Sequence, residues 1–348
     1  MLVSIKSLFV KLLVPVLSLN FIFYFLPLSF FVPREECKFN LQDHQINIFE
    51  AGKGKDGYCI FYPDRESLKS SEVIIFLHGY GGYNPMVYGG WIEHLVRTGR
   101  TVIFPYFQDN MIHPSPDAFA GCAAGAIHSA LRILKDSIKM ELPSKVHYIG
   151  HSYGGVIASH LAARSDSFGL IEPGAILLCM SGTGPFDDGI LSGYEAIPPD
   201  CVLGVIVGED DHVVGDGFSK LVYSSTDSVD RKFWMLLSKR PGSPKLSGGH
   251  NEACSRHTGF DSGVHNYNYT RTILTGRVDT HDSLAFWRTF DWMQGKVKNP
   301  ESEWFNQPER EYLSDLGFDL KGKHYGKLFI HTGVIPQNHE ALQAASPK

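Results

Sequence analysis

The stretch Lys145-Val146-His147-Tyr148-Ile149-Gly150-His151-Ser152-Tyr153-Gly154-Gly155-Val156-Ile157-Ala158 decides how the rest of this chain is read. Lys145–Gly150 reads as a short buried strand and Gly154–Ala163 as a helix, so Ser152 falls on a sharp strand-to-helix turn. Such a turn forces the serine into strained backbone angles and crowds the positions two residues either side. Glycine stands at both, in Gly150-His151-Ser152-Tyr153-Gly154. The hydroxyl is thereby lifted above the carboxyl edge of a sheet, beside a helix N-terminus that favours developing negative charge. Without the flanking strand and helix the same five residues would be a glycine-rich turn with a solvated serine. The context carries the reading.

Working outward, strands and helices alternate. Residues 45–62 read as two modest strands around the turn Ala51–Gly54. Val73–Leu77 is a continuous apolar run, as expected of a strand buried on both faces. Further strands are expected at Thr101–Phe107, Gly174–Met180, Cys201–Gly208 and Phe233–Leu237. Helices are expected near Tyr88–Thr98, Asp117–Met140, Gly217–Tyr223 and His281–Lys296. This alternation predicts an α/β fold, a mostly parallel central sheet with helices on both faces. Residues 239–280, rich in Gly, Ser, His and Asn, read as a long loop, and a loop of that length is usually functional or disordered.

Composition narrows the function classes. With 43% hydrophobic and 20% charged residues among 348, the chain is globular rather than disordered. A net charge of −5 and no basic run leave no footprint for nucleic acid. The exception to uniformity is the start. Up to Val32 the only charges are Lys6 and Lys11, and Leu12–Val32 is long and apolar enough to span a bilayer. Lysines before it and Arg34-Glu35-Glu36 after it favour an exported remainder. The segmentation expected is a signal anchor or signal peptide over 1–36, one domain over 37–297, and an extension over 298–348 without a structural expectation. The catalytic domain is then membrane-anchored and exported, or secreted if the leader is cleaved.

A second glycine turn, His78-Gly79-Tyr80-Gly81-Gly82, follows the Val73–Leu77 strand. Together with the serine turn and the strand order around it, the chain resembles the α/β-hydrolase superfamily, in its serine esterase or lipase-like members, over about residues 45–297. The resemblance implies an oxyanion hole from the Tyr80 and Tyr153 amides, and a triad running serine, acid, histidine along the chain. Leu203–Val207 ends in Gly208-Glu209-Asp210-Asp211-His212, whose spacing selects Asp211 as the acid, with Asp210 the runner-up. His250, on Ser247-Gly248-Gly249-His250, is the expected base, with His257, His265 and His281 as competitors. His151 and His212 lie too close to the other motifs and are expected to shape the pocket or surface.

The activity implied is hydrolysis of a carboxylic ester, of a small molecule or a lipid, through an acyl-enzyme and without a cofactor. A thioesterase, a peptidase or a non-catalytic binding protein are the alternatives. Only 20 residues separate Met180 from Cys201, too few for a large cap domain. Tyr83, Tyr88, Trp91, Tyr106 and Phe107 either line an apolar acyl pocket or belong to the core. His250, Cys254, His257 and His265 permit a zinc reading at a spacing matching no standard pattern, and Cys254 also permits a disulfide that pins the histidine loop. Asn268-Tyr269-Thr270 is a glycosylation sequon.

Overall fold

A sequence that alternates apolar runs with amphipathic segments must bury each strand on both faces, and the computed structural model shows how. It describes residues 45–302 apart from breaks at 65–67, 70, 109–114, 185–189, 229, 239–245 and 277, together with 313, 316 and 329–331. The strands are β1 Asn47–Ala51, β2 Tyr58–Tyr62, β3 Val73–Leu77, β4 Thr101–Pro105, β5 Val146–His151, β6 Pro173–Cys179, β7 Val202–Gly208, β8 Arg231–Leu236 and β9 Phe329–His331. They form one sheet in the order β1-β2-β4-β3-β5-β6-β7-β8-β9. β1, β2 and β4 pair antiparallel, β4 through β8 pair parallel, and β9 returns antiparallel on β8. The alternation read from the sequence is therefore the fold.

The helices are α1 Gly89–Arg97, α2 Pro116–Ile133, α3 Tyr153–Ala163, α4 Gly217–Ser225, α5 Tyr267–Thr275 and α6 Arg288–Lys298. Successive strand residues point to opposite faces, and the two faces have separate cores. Val73, Ile75 and Leu77 of β3 pack with Ile127 of α2, Val156 of α3 and Val222 of α4. Ile74 and Phe76 pack with Trp91 of α1 and with Phe290 and Met293 of α6. Every residue of β3, β4 and β5 is buried, and β3 is accordingly apolar at every position, whereas Thr101, His147 and His151 are polar residues buried in β4 and β5. Proline at the first position of α2 and Asp117 in its first turn suit a helix start.

The two long helices expected are present, each with a wider-wound π-helical stretch: α2 continues over Leu134–Ile138 and ends at Lys139 with φ 66°, and the last helix opens over Asp282–Trp287 before α6. One expectation needs correction. Within the expected long loop 239–280 lies α5, short and capped by Asn266, whose side chain accepts the Tyr269 N–H. Beyond residue 298, β9 joins the sheet and Leu313 and Leu316 are buried. The apolar stretch Leu12–Val32 lies outside the described residues, and no described helix is long and apolar enough to cross a membrane.

Candidate active site

Ser152 sits between the last residue of β5 and the first of α3 with φ 55° and ψ −125°, a conformation that L side chains rarely adopt. The strain is held by neighbours: its N–H donates to the Cys179 carbonyl at 3.0 Å, and its carbonyl accepts from Gly155 N–H at 3.0 Å and Gly182 N–H at 3.2 Å. A Cβ on Gly154 would collide with the carbonyl oxygens of Leu77 and His78. That is the physical reason for glycine there: α3 starts hard against the end of β3.

The turn after β7 presents Asp211, the acid expected from the sequence. Asp211 Oδ1 accepts the N–H groups of Val213 at 2.9 Å and Val214 at 3.2 Å, and Oδ2 faces His250 Nδ1 at 2.9 Å. Burial pushes the Asp211 carboxyl up, but the hydrogen bond and charge of His250, with the two amides, outweigh it and hold the group below its ordinary value. A carboxylate only accepts, so His250 Nδ1 carries the proton and Nε2 is left as an acceptor. Nε2 lies 2.9 Å from Ser152 Oγ. Asp210 is exposed and holds the loop through its backbone instead, its N–H donating to Gly248 O at 3.0 Å. Gly248 is glycine for close approach, since a Cβ would collide with the Leu236 carbonyl at the end of β8.

The competing histidines go elsewhere. His257 pairs with Glu93 at 3.3 Å, His265 with Asp261 at 2.9 Å and His281 with Glu252 at 3.3 Å. The four-residue zinc reading is therefore not assembled. Among the described residues the one grouping with metal-ligand proximity is Glu252, Asp279 and His281, whose atoms are occupied in part by one another: Asp279 Oδ1 accepts His281 N–H at 2.8 Å. Cys254 is a buried free thiol whose Sγ is 3.9 Å from His151 Nδ1, so the expected alternative of a disulfide at this position is not formed.

Behind the site runs a buried chain of hydrogen bonds whose direction is fixed at both ends. His151 Nε2 must donate to the His250 carbonyl at 2.8 Å, because a carbonyl only accepts. In the neutral ring Nδ1 then accepts, from the Tyr88 hydroxyl at 2.9 Å, whose oxygen in turn accepts Gly79 N–H at 2.8 Å. One tyrosine and one histidine thus tie the turn after β3 to the histidine loop. Sequence reading placed His151 only vaguely, since its adjacency to the motif says nothing of a partner 99 positions away.

Neutrality of that ring is enforced by burial. Desolvation, then the neighbouring charge of His250, drives His151 down to about 3. Desolvation likewise drives His78 and His160 down to about 4, in the latter case aided by the Arg164 charge. Their folded values lie below the unfolded one near 6.5, so the unfolded chain binds protons that the folded chain refuses as pH falls. Stability is complete above about pH 6.5 and is lost progressively toward pH 4, by roughly 2 kcal/mol per histidine at pH 5. Urea denaturation at pH 7, 6 and 5 should show it; a pH-independent midpoint over that range would contradict the buried neutral assignment.

Tyr80 and Tyr153, the expected oxyanion pair, both line an open cleft around Ser152. As the first residue of α3, Tyr153 has a backbone N–H with no intrahelical partner. Of the aromatics proposed for an acyl pocket only Tyr88 lines this cleft; Trp91 and Phe107 are fully buried core, and Tyr106 is buried with its hydroxyl donating to Glu50 at 2.7 Å. One side of the cleft is formed by α5, through Asn268, Arg271 and Thr272; its N-cap Asn266 is the signal the sequence reading passed over. Asn266 and Asn268 donate to the carbonyls of Gly81 and Tyr80, each at 2.8 Å, and Asn251 donates to Thr275 Oγ1 at 2.8 Å. Asn268 is the sequon asparagine, and its amide nitrogen is already committed to the turn beside the serine.

A family model described as alpha/beta hydrolase fold matches residues 72–169, from the start of β3 to just past α3. No curated protein matches the chain. The matched segment spans both glycine turns, and the parallel sheet continues the same alternation beyond it, so the chain is similar to the alpha/beta hydrolase fold family where that family carries its nucleophile turn.

Proposed function

We propose that this hydrolase-fold protein is a serine hydrolase of carboxylic esters, with Ser152 as nucleophile, His250 as general base and Asp211 as the group that orients and stabilises the imidazole. The observation that carries the reading is the continuous chain Ser152 Oγ, His250 Nε2, His250 Nδ1, Asp211 Oδ2, with both links at 2.9 Å. In the first step His250 takes the Ser152 proton as Oγ attacks the ester carbonyl, and the oxyanion forms against the Tyr80 and Tyr153 amides. The imidazolium then protonates the leaving alcohol, and water, deprotonated by His250, releases the acid from the acyl-enzyme. Neutral His151 suits this cycle: its ring centroid is 5.1 Å from that of His250, where a second positive charge would oppose imidazolium formation.

The chemistry asks for no cofactor. The apolar stretch Leu12–Val32 and its flanking charges support a membrane-anchored, exported protein, and with it a lipid ester among the substrates. A fluorophosphonate probe tests the central claim. We expect covalent labelling of the wild-type protein and none of Ser152→Ala. A wild-type protein that folds but takes no label would favour a non-catalytic binding role. Labelling with turnover of thioesters or peptides but not esters would leave the triad and change the substrate.

A further inference from the structure

Arg271 is the one permanently charged side chain among the described residues that line the cleft; no aspartate or glutamate joins it there. It is put there by α5. With Asn266 and Asn268 holding that helix to the turn after β3, the set Asn268, Arg271 and Thr272 lines the cleft at helical i, i+3, i+4 spacing. Among the described residues no carboxylate pairs with its guanidinium; its backbone carbonyl accepts from Thr275 Oγ1 at 3.0 Å. The Asp211 carboxylate is directed elsewhere, its oxygens taking His250 and the Val213 and Val214 amides. Nor is the cation part of a generally basic surface, since the chain carries a net charge of −5.

A guanidinium presents a planar fork of donors that matches a carboxylate or phosphate, and it stays charged at every working pH. An exposed arginine lining a cleft whose described residues include no carboxylate is placed to meet such a group on an incoming molecule. We propose that Arg271 is an anion-recognition residue, and that the substrate is an ester bearing a carboxylate or phosphate on its acyl or its alcohol part. This rests on the reading of Ser152 as the nucleophile only for its consequence in turnover; binding of the anion does not need the chemistry.

The test pairs neutral and anionic esters of matched size. Nitrophenyl butyrate against the nitrophenyl monoester of glutaric acid probes the acyl side, and phenyl butyrate against carboxyphenyl butyrate probes the alcohol side. For each pair the ratio of kcat/KM, anionic over neutral, is measured in the wild type and in Arg271→Ala. We expect the ratio to fall about tenfold in one of the two pairs, and to shrink in the wild type at high salt. In parallel, the Kd of the anionic ester is measured on Ser152→Ala with and without Arg271→Ala. Esters that are turned over with ratios and Kd insensitive to Arg271 would overturn the proposal and leave the hydrolase reading standing. No turnover, with Kd still weakened about tenfold by loss of Arg271, would keep the anion site and overturn the hydrolase reading. No turnover and no change in Kd would sink both.

Discussion

Replacing His250 with alanine should lower kcat by roughly 10⁴- to 10⁶-fold, with the fold retained, because the base and the acid of the proposed cycle are the same ring. The side chain is 13% exposed at the cleft and makes its two described side-chain hydrogen bonds to Ser152 and Asp211, so its removal strips chemistry rather than core. Asp211→Asn should cost on the order of 10⁴ in kcat. The amide keeps an oxygen for the Val213 and Val214 N–H groups, but it no longer fixes the proton on Nδ1 or balances the imidazolium. The parallel Asp210→Asn variant should stay within a few fold of wild type, since that exposed carboxylate faces solvent while its backbone does the holding. Circular dichroism separates loss of chemistry from loss of fold. A folded His250→Ala protein that retained a tenth of the activity would remove His250 from the mechanism.

The second large effect is on stability. Gly154→Ala adds one methyl where backbone carbonyls of Leu77 and His78 already stand, and neither β3 nor the first turn of α3 can withdraw without disturbing the sheet. We expect a loss of about 3–5 kcal/mol, a large share of a domain's whole stability. The comparison is Gly121→Ala on the exposed side of α2, where a Cβ meets nothing within 4 Å. There the same methyl should be neutral or stabilise by roughly 0.5–1 kcal/mol, through helix propensity alone. The urea midpoint should therefore fall for Gly154→Ala and hold or rise for Gly121→Ala. A Gly154→Ala protein as stable as the wild type would mean that β3 and α3 are not in the close contact described.

What the amino-acid order determined by itself is whatever short-range sterics and burial decide. Val73–Leu77 is apolar at every position because both faces are covered, so its place in the middle of a parallel sheet is written locally. The turn at Ser152 is likewise local: glycine at 150 and 154 between a strand and a helix admits few other backbone paths. Tertiary structure decided everything that depends on direction or on distant partners. Asp210 and Asp211 are chemically alike and adjacent, and only the course of the turn aims one at the loop 39 positions on while the other faces water. Four histidines competed in one stretch, and the fold gives three of them to Glu93, Asp261 and Glu252. Helix α5 buries Tyr269 and is tied in by side-chain amides donating to carbonyls more than 180 positions away, partners that no local pattern names. β9 is three residues long and exists by pairing with β8. Local sequence thus wrote the turn that carries the serine, whereas the partners of that serine, and the cation at the mouth of its cleft, come from contacts that only the assembled chain can make.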